Sequence, residues 1–136
     1  MLVGPDRERR HTPAMFGTVL IVDDDAAVRS ALKFSLELEG LDVRVYDGPR
    51  ALLAEASLPA SGCLVIDYRM PLIDGLQLIE LLRERHIDLP VIMIAGRASA
   101  ELRRRAARSG VRQVLEKPLS DGALVEGIRS ILAKPA

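Results

Sequence analysis

Residues 63–71 read CLVIDYRMP. Cys63 to Ile66 form an unbroken apolar run, a carboxylate closes it at Asp67, and Pro71 then breaks the chain. A short, solid run of this kind is a strand buried on both faces, as in the centre of a parallel sheet. Working outward, two more runs share the pattern. Thr18 to Val22 (TVLIV) leads into Asp23, Asp24 and Asp25, and Val91 to Ala95 (VIMIA) leads into Gly96. Two others are weaker: Asp42 to Tyr46 alternates polar and apolar residues, and Gln113 to Glu116 is short, which suits sheet edges.

Helical patterns lie between these strands. Ala26 to Glu39 places Val28, Leu32, Ser35 and Leu36 on one face before Gly40. Pro49 opens a helix expected to reach Leu58, before Pro59. Gly75 to Arg85 carries Leu76, Ile79 and Leu82 in register; Ala98 to Ser109 runs up to Gly110; Ser120 to Leu132 aligns Leu124, Ile128 and Ile131. The alternation predicts a single α/β, doubly wound (βα)5 domain over 18–132, with a parallel five-stranded sheet in the flavodoxin-like order 2-1-3-4-5. Residues 1–17 are polar, carry Pro5 and Pro13 and show no period; they are expected to be a flexible tail dispensable for folding, with Met15 a candidate start. Residues 133–136 are expected to be a short C-terminal tail.

The chain has 136 residues, 49% hydrophobic and 28% charged, a composition suited to one soluble domain with its own core. Its formal net charge is zero, so no global field points to nucleic acid or a membrane surface. Two Tyr, two Phe and no Trp supply few stacking platforms for single strands. Cys63 is the only cysteine, which excludes an internal disulfide and fits a cytoplasmic location and a buried core position. No apolar run reaches membrane-spanning length.

Ligands of such sheets bind beyond the carboxyl ends of the strands. There the sequence places Asp23, Asp24 and Asp25, then Asp67, then Ala95 and Gly96, and finally Lys117 followed by Pro118. Clustered carboxylates repel one another. A hard divalent cation removes that cost, and Mg²⁺ (or Mn²⁺) takes a few carboxylates together with waters and phosphate. A lysine at the same rim adds a mobile point charge. These are the parts of a phosphoryl-transfer site. Asp25 alone reads more simply as a helix N-cap.

The segments IVDDD, VIDYRMPLIDG and LEKP resemble the three signature segments of response-regulator receiver domains, and within that family the chain is most similar to FixJ-like receivers. The resemblance covers Thr18 to about Leu132. It implies Asp67 as phosphoacceptor, Asp24 as main metal ligand supported by Asp23 and Asp67, the backbone carbonyl of Arg69 completing the metal site, and Lys117 contacting the phosphoryl group with the Gly96 amide. It also implies a sensor histidine kinase or histidine phosphotransfer protein as donor, and a cis Lys117–Pro118 bond. Such a module catalyses only its own phosphorylation and dephosphorylation. Its output passes to a downstream protein or a homodimer through the fourth helix, fifth strand and fifth helix, with no direct contact to nucleic acid or membrane.

Two positions depart from the family pattern. Ala95 stands where receivers usually carry Ser or Thr, and Val114 where they usually carry an aromatic residue, so the usual hydroxyl-aromatic switch lacks both ends. A degenerate receiver acting as a protein-interaction module is therefore an alternative reading. Another is a small Asp-dependent phosphatase of the haloacid dehalogenase type, from the D-x-D formed by Asp23 and Asp25, although Ala27 and the YRMP segment do not belong to it. No effector segment is visible after the last helix, which fits either a stand-alone receiver or a sequence stopping where a linker begins. Arg97, Arg103, Arg104, Arg105, Arg108 and Arg112 make a basic fourth-helix region. Ordinarily this is a solvated face; the functional alternative is a docking surface for an acidic partner, with no recognition helix to favour DNA.

Overall fold

The computed structural model describes residues 17–119 and 122–133. Strands β1 (Thr18–Val22), β2 (Val43–Tyr46), β3 (Gly62–Asp67), β4 (Val91–Ala95) and β5 (Val111–Glu116) alternate with helices α1 (Ala26–Leu38), α2 (Pro49–Leu53), α3 (Gly75–Glu84), α4 (Ala100–Arg108) and α5 (Ala123–Ala133). All strand pairs are parallel, in the expected order β2-β1-β3-β4-β5.

The solid apolar runs are the central strands. Every residue of β1, β3 and β4 is buried. Their side chains alternate between two layers. Leu20, Val22, Leu64, Ile66 and Met93 pack with Leu52, Leu76, Ile79, Leu82, Leu102 and Ala106 from α2, α3 and α4. Val19, Ile21, Cys63, Val65, Ile92 and Ile94 pack with Leu36 of α1 and with Leu124 and Ile128 of α5.

Register aligns the strand ends. Val22 lies opposite Ile66, so Asp23 emerges beside Asp67. Asp67 lies opposite Ile94, and Ala95 opposite Glu116, so Lys117 leaves β5 level with the end of β4.

Several element ends differ from the sequence reading. α2 stops at Leu53 rather than Leu58: Arg85 Nη1 donates to the Leu53 carbonyl at 2.8 Å, and the Glu55 carboxylate accepts from Tyr46 Oη at 2.7 Å. These contacts draw the following residues into a loop. α4 begins at Ala100 rather than Ala98, because Ser99 caps it by accepting from Leu102 N at 3.0 Å. β5 is six residues long, not short; its edge position shows instead in its half-exposed pattern. β2 begins at Val43 rather than Asp42, whose carboxylate accepts from Thr18 Oγ1 at 3.0 Å. Ser35 is exposed, so the buried stripe of α1 narrows to Leu36 and the half-buried Val28 and Leu32. Gly17, at the boundary of the expected tail, is buried; a Cβ there would meet Gly62 Cα at 3.0 Å and Leu132 Cδ2 at 3.2 Å. Residues 1–16 and 134–136, and the expected helix start at Ser120, lie outside the described residues.

Candidate functional site

Three strands and one helix start build the site. β1 ends in Asp23, whose amide donates to Tyr46 O at 3.2 Å. Its carbonyl accepts from Arg29 Nη1 at 2.8 Å, which anchors this corner from the first turns of α1. Asp25 caps α1, its Oδ1 accepting from Ala27 N at 2.9 Å and Val28 N at 3.2 Å. The cap fixes the turn that carries Asp24 outward: Asp24 is exposed while Asp23 is 1% exposed.

Asp67 ends β3 with 5% exposure. Beyond it, Tyr68 N donates to Ile94 O at 2.8 Å and Gly75 N to Tyr68 O at 2.7 Å, folding the Tyr68–Asp74 loop back on the sheet. A Cβ on Gly75 would stand 3.0 Å from Asp67 O, so a glycine keeps α3 tight against the strand end. From β5, Lys117 Nζ comes within 3.5 Å of Asp67 Oδ1, and Lys117 N donates to Ala95 O at 2.8 Å. The Lys117–Pro118 bond is cis, as the resemblance implies.

Carboxylate oxygens of Asp23, Asp24 and Asp67 lie within 4.8 Å of one another. Asp25 is spent on its helix, so the Asp23 and Asp25 pair of the phosphatase reading does not converge. Asp23 Oδ1 accepts from Asp25 N at 2.8 Å, but Asp23 Oδ2 is buried without a hydrogen-bond partner. Burial pushes the Asp23 carboxyl above the usual carboxylate range, against the pull of the Asp25 amide and the Lys117 charge. Burial also raises Asp67, and the neighbouring Asp23 charge adds to it, with Lys117 opposing. An orphaned buried oxygen among three converging acids is a donor set that fits a hard divalent cation.

Ala95 is 1% exposed and packs in the layer facing α3 and α4, with half-buried Val114 against the same layer. Gly96 is exposed at the rim. Two contributors escape a reading of the sequence. Glu116 accepts from Ala98 N at 2.8 Å and lies 3.9 Å from Arg103, tying the loop after β4 to the strand carrying Lys117. Arg29 is the other; its position four residues after a capping acid is its only signal.

Residues 19–129, nearly all of the sheet and its helices, match the family described as response regulator receiver domain. The chain belongs to this family. Among curated relatives, this receiver domain is 41% identical over 114 residues to the C4-dicarboxylate transport transcriptional regulatory protein DctD of Pseudomonas aeruginosa, covering 84% of this chain and 25% of the relative. It is 39% identical over 119 residues to the transcriptional regulatory protein FixJ of Azorhizobium caulinodans, covering 87% and 56%. Among solved structures, FixJ-N superposes with a TM-score of 0.77 at 33% identity, covering 88% of this chain and 95% of that one. The Francisella response regulator 1452 receiver domain gives 0.76 at 29% identity, covering 85% and 95%. The receiver domain thus spans between a quarter and about six-tenths of the length of the first curated relatives it matches. Among the described residues, no helix is long and apolar enough to cross a membrane.

Proposed function

We propose that this receiver domain accepts a phosphoryl group on Asp67 from a phosphohistidine of a sensor kinase or phosphotransfer protein. The observation that supports it best is the meeting of Asp23, Asp24, Asp67 and Lys117 at one rim from three strands. In the reaction, an Asp67 carboxylate oxygen attacks phosphorus in line; the new P–O bond forms as the P–N bond to the donor imidazole breaks, and the imidazole leaves with the electron pair. Asp24 and Asp23, with Asp67 and the Arg69 carbonyl, would hold Mg²⁺ or Mn²⁺. When bound, the cation supplies neutralisation of the acids and of the phosphoryl oxygens. Lys117 brings a second positive charge to the phosphoryl group, and the Gly96 amide donates to it. Burial keeps Asp67 poorly solvated, which favours a nucleophile that need not shed a hydration shell.

A second reading rests on Ala95 and Val114. Without a hydroxyl at Ala95, the phosphoryl group loses one charge-assisted hydrogen bond of about 1.5–3 kcal/mol. Phosphorylation then has one fewer contact with which to shift the loop after β4, and the domain leans toward constitutive partner binding.

Acetyl phosphate with Mg²⁺, followed by intact mass, tests the chemistry. One phosphoryl group is expected on the native chain and none on Asp67→Asn. Uptake by Asp67→Asn would move the acceptor elsewhere.

A further inference from the structure

We infer that this chain pairs weakly with a second copy of itself through the outward face of α1 and the groove beside it, and not through α4. Ala27, Ala31, Phe34 and Leu38 recur at spacings of four, three and four residues, which sets them in one row along α1. Leu36 packs toward the sheet from the opposite side of the helix, so the row points away from the core. All four residues of the row are exposed. Phe34 (65%) and Leu38 (71%) are two of the three large apolar side chains left exposed among the described residues. The row carries no charge, and small Ser30 and Ser35 flank it. Apolar residues at four-three spacing are the pattern with which one helix meets another. A hollow adjoins the row: the groove between α1 and α5 is open, with Leu32, Leu36, Leu124 and Val125 among its walls and Ser35 on the side of the row.

A projecting row and a hollow side by side on one face are self-complementary. A two-fold axis running along α1 lays the row of each copy over the groove of the other, an isologous contact that closes at two. Both copies of α1 then start at the same end, so the two Asp67 rims face the same way. Charge permits this contact. Lys33 pairs with Glu37, and Glu39 with Arg129, inside one chain, which leaves Glu126 as the remaining charge lining the groove. The α4 face does not permit it. Residues 97–112 hold six arginines and one acid, Glu101, and a two-fold contact there sets arginines against arginines. The family resemblance puts self-contact on α4, β5 and α5; the side chains of this chain move it to α1. With 13 residues, α1 is about 20 Å long, and the face from its row to α5 is about 20 Å across. A projected area of about 400 Å² is small for a specific contact, so the dimer is weak, with a Kd on the order of 100 µM.

The test is sedimentation equilibrium of the full chain from about 10 µM to about 1 mM, a range that brackets the expected Kd. A monomer–dimer equilibrium is expected, little changed by salt because the contact is apolar. Phe34→Ser/Leu38→Ser should weaken it about tenfold or more. Arg104→Glu/Arg108→Glu should leave it as it is. All four positions are exposed, so both variants should keep the native melting temperature. Orientation is read separately: Ala31→Cys should link two copies through a disulfide under diamide, while Arg108→Cys should not and buried Cys63 stays unreactive. A chain that stays monomeric at the highest concentration would overturn the inference. So would a dimer that survives the serine pair, whatever the arginine pair does, or linkage through Arg108→Cys in place of Ala31→Cys.

Discussion

Lys117 Nζ stands 3.5 Å from Asp67 Oδ1 although their strands are not neighbours. β4 lies between them, and the lysine reaches across its end. One cation thus faces two buried acids, Asp23 and Asp67, with exposed Asp24 close by. The acids outnumber their counter-charge.

The first prediction concerns pH and metal. Asp23 and Asp67 titrate higher in the fold than in the unfolded chain. The folded form holds their protons more tightly, so their contribution to stability is fullest below the unfolded value and is lost as pH rises through the raised one. At neutral pH the metal-free domain carries this cost, and Mg²⁺ should relieve it. At about a hundredfold its Kd, Mg²⁺ adds about 2.7 kcal/mol, a rise in Tm on the order of 10 °C. Thermal melts should show this gain at neutral pH and its disappearance in acid. Asp23→Asn should raise the Tm of the metal-free protein and shrink the Mg²⁺ response. An unchanged Mg²⁺ response in that variant would remove Asp23 from the site.

Cys63 gives a second. Its thiol is fully buried and pushed up to about 12 by burial. A thiolate is the reactive form, so a thiol reagent at mild alkaline pH should leave the native protein untouched and modify it on unfolding in guanidinium. Rapid native labelling would contradict the packing of β3. Because unfolding releases a thiol of ordinary acidity, stability should also fall as pH rises above its unfolded value.

Gly62 gives a third. It opens β3 with φ +156, and a Cβ there would collide with the Thr18 carbonyl of β1. Gly62→Ala should cost about 1–3 kcal/mol or more in chemical denaturation. Gly96→Ala, with nothing within 4 Å of the new Cβ, should cost far less. Equal costs would show that the β1–β3 approach does not demand glycine.

Ala95 gives a fourth. Ala95→Thr restores a hydroxyl at the end of β4 inside a packed layer, at an overpacking cost of about 1–3 kcal/mol. It should enlarge the amide-exchange change that Mg²⁺ with beryllofluoride produces across 95–114, and the native chain should show a small one. A large native response, matching Ala95→Thr, would show the hydroxyl to be unnecessary.

Much of this architecture was legible in the sequence. The solid runs at Val19, Leu64 and Ile92 mark central strands because both faces are covered, and together with the familiar flavodoxin-like order they bring Asp23, Asp67 and Lys117 to one rim. Asp25 was readable as a cap because its side chain answers local amides. What stayed hidden depends on contacts between distant segments. The early end of α2 comes from Arg85 and Tyr46, and the strap from Glu116 to Ala98 joins the end of β5 to the loop after β4, which share no sequence pattern. Ser35 fitted the helical period and is exposed all the same, because it lines an open groove between α1 and α5 that no other segment fills among the described residues.

The central claim is that Asp67 itself carries the phosphoryl group. Borohydride reduces an acyl phosphate of aspartate to homoserine, and peptide mass spectrometry then locates it. After acetyl phosphate and Mg²⁺, homoserine is expected at position 67 alone, dependent on the metal and on Asp24. Homoserine at position 23 or 24, or phosphoryl uptake that leaves position 67 unreduced, would contradict the account.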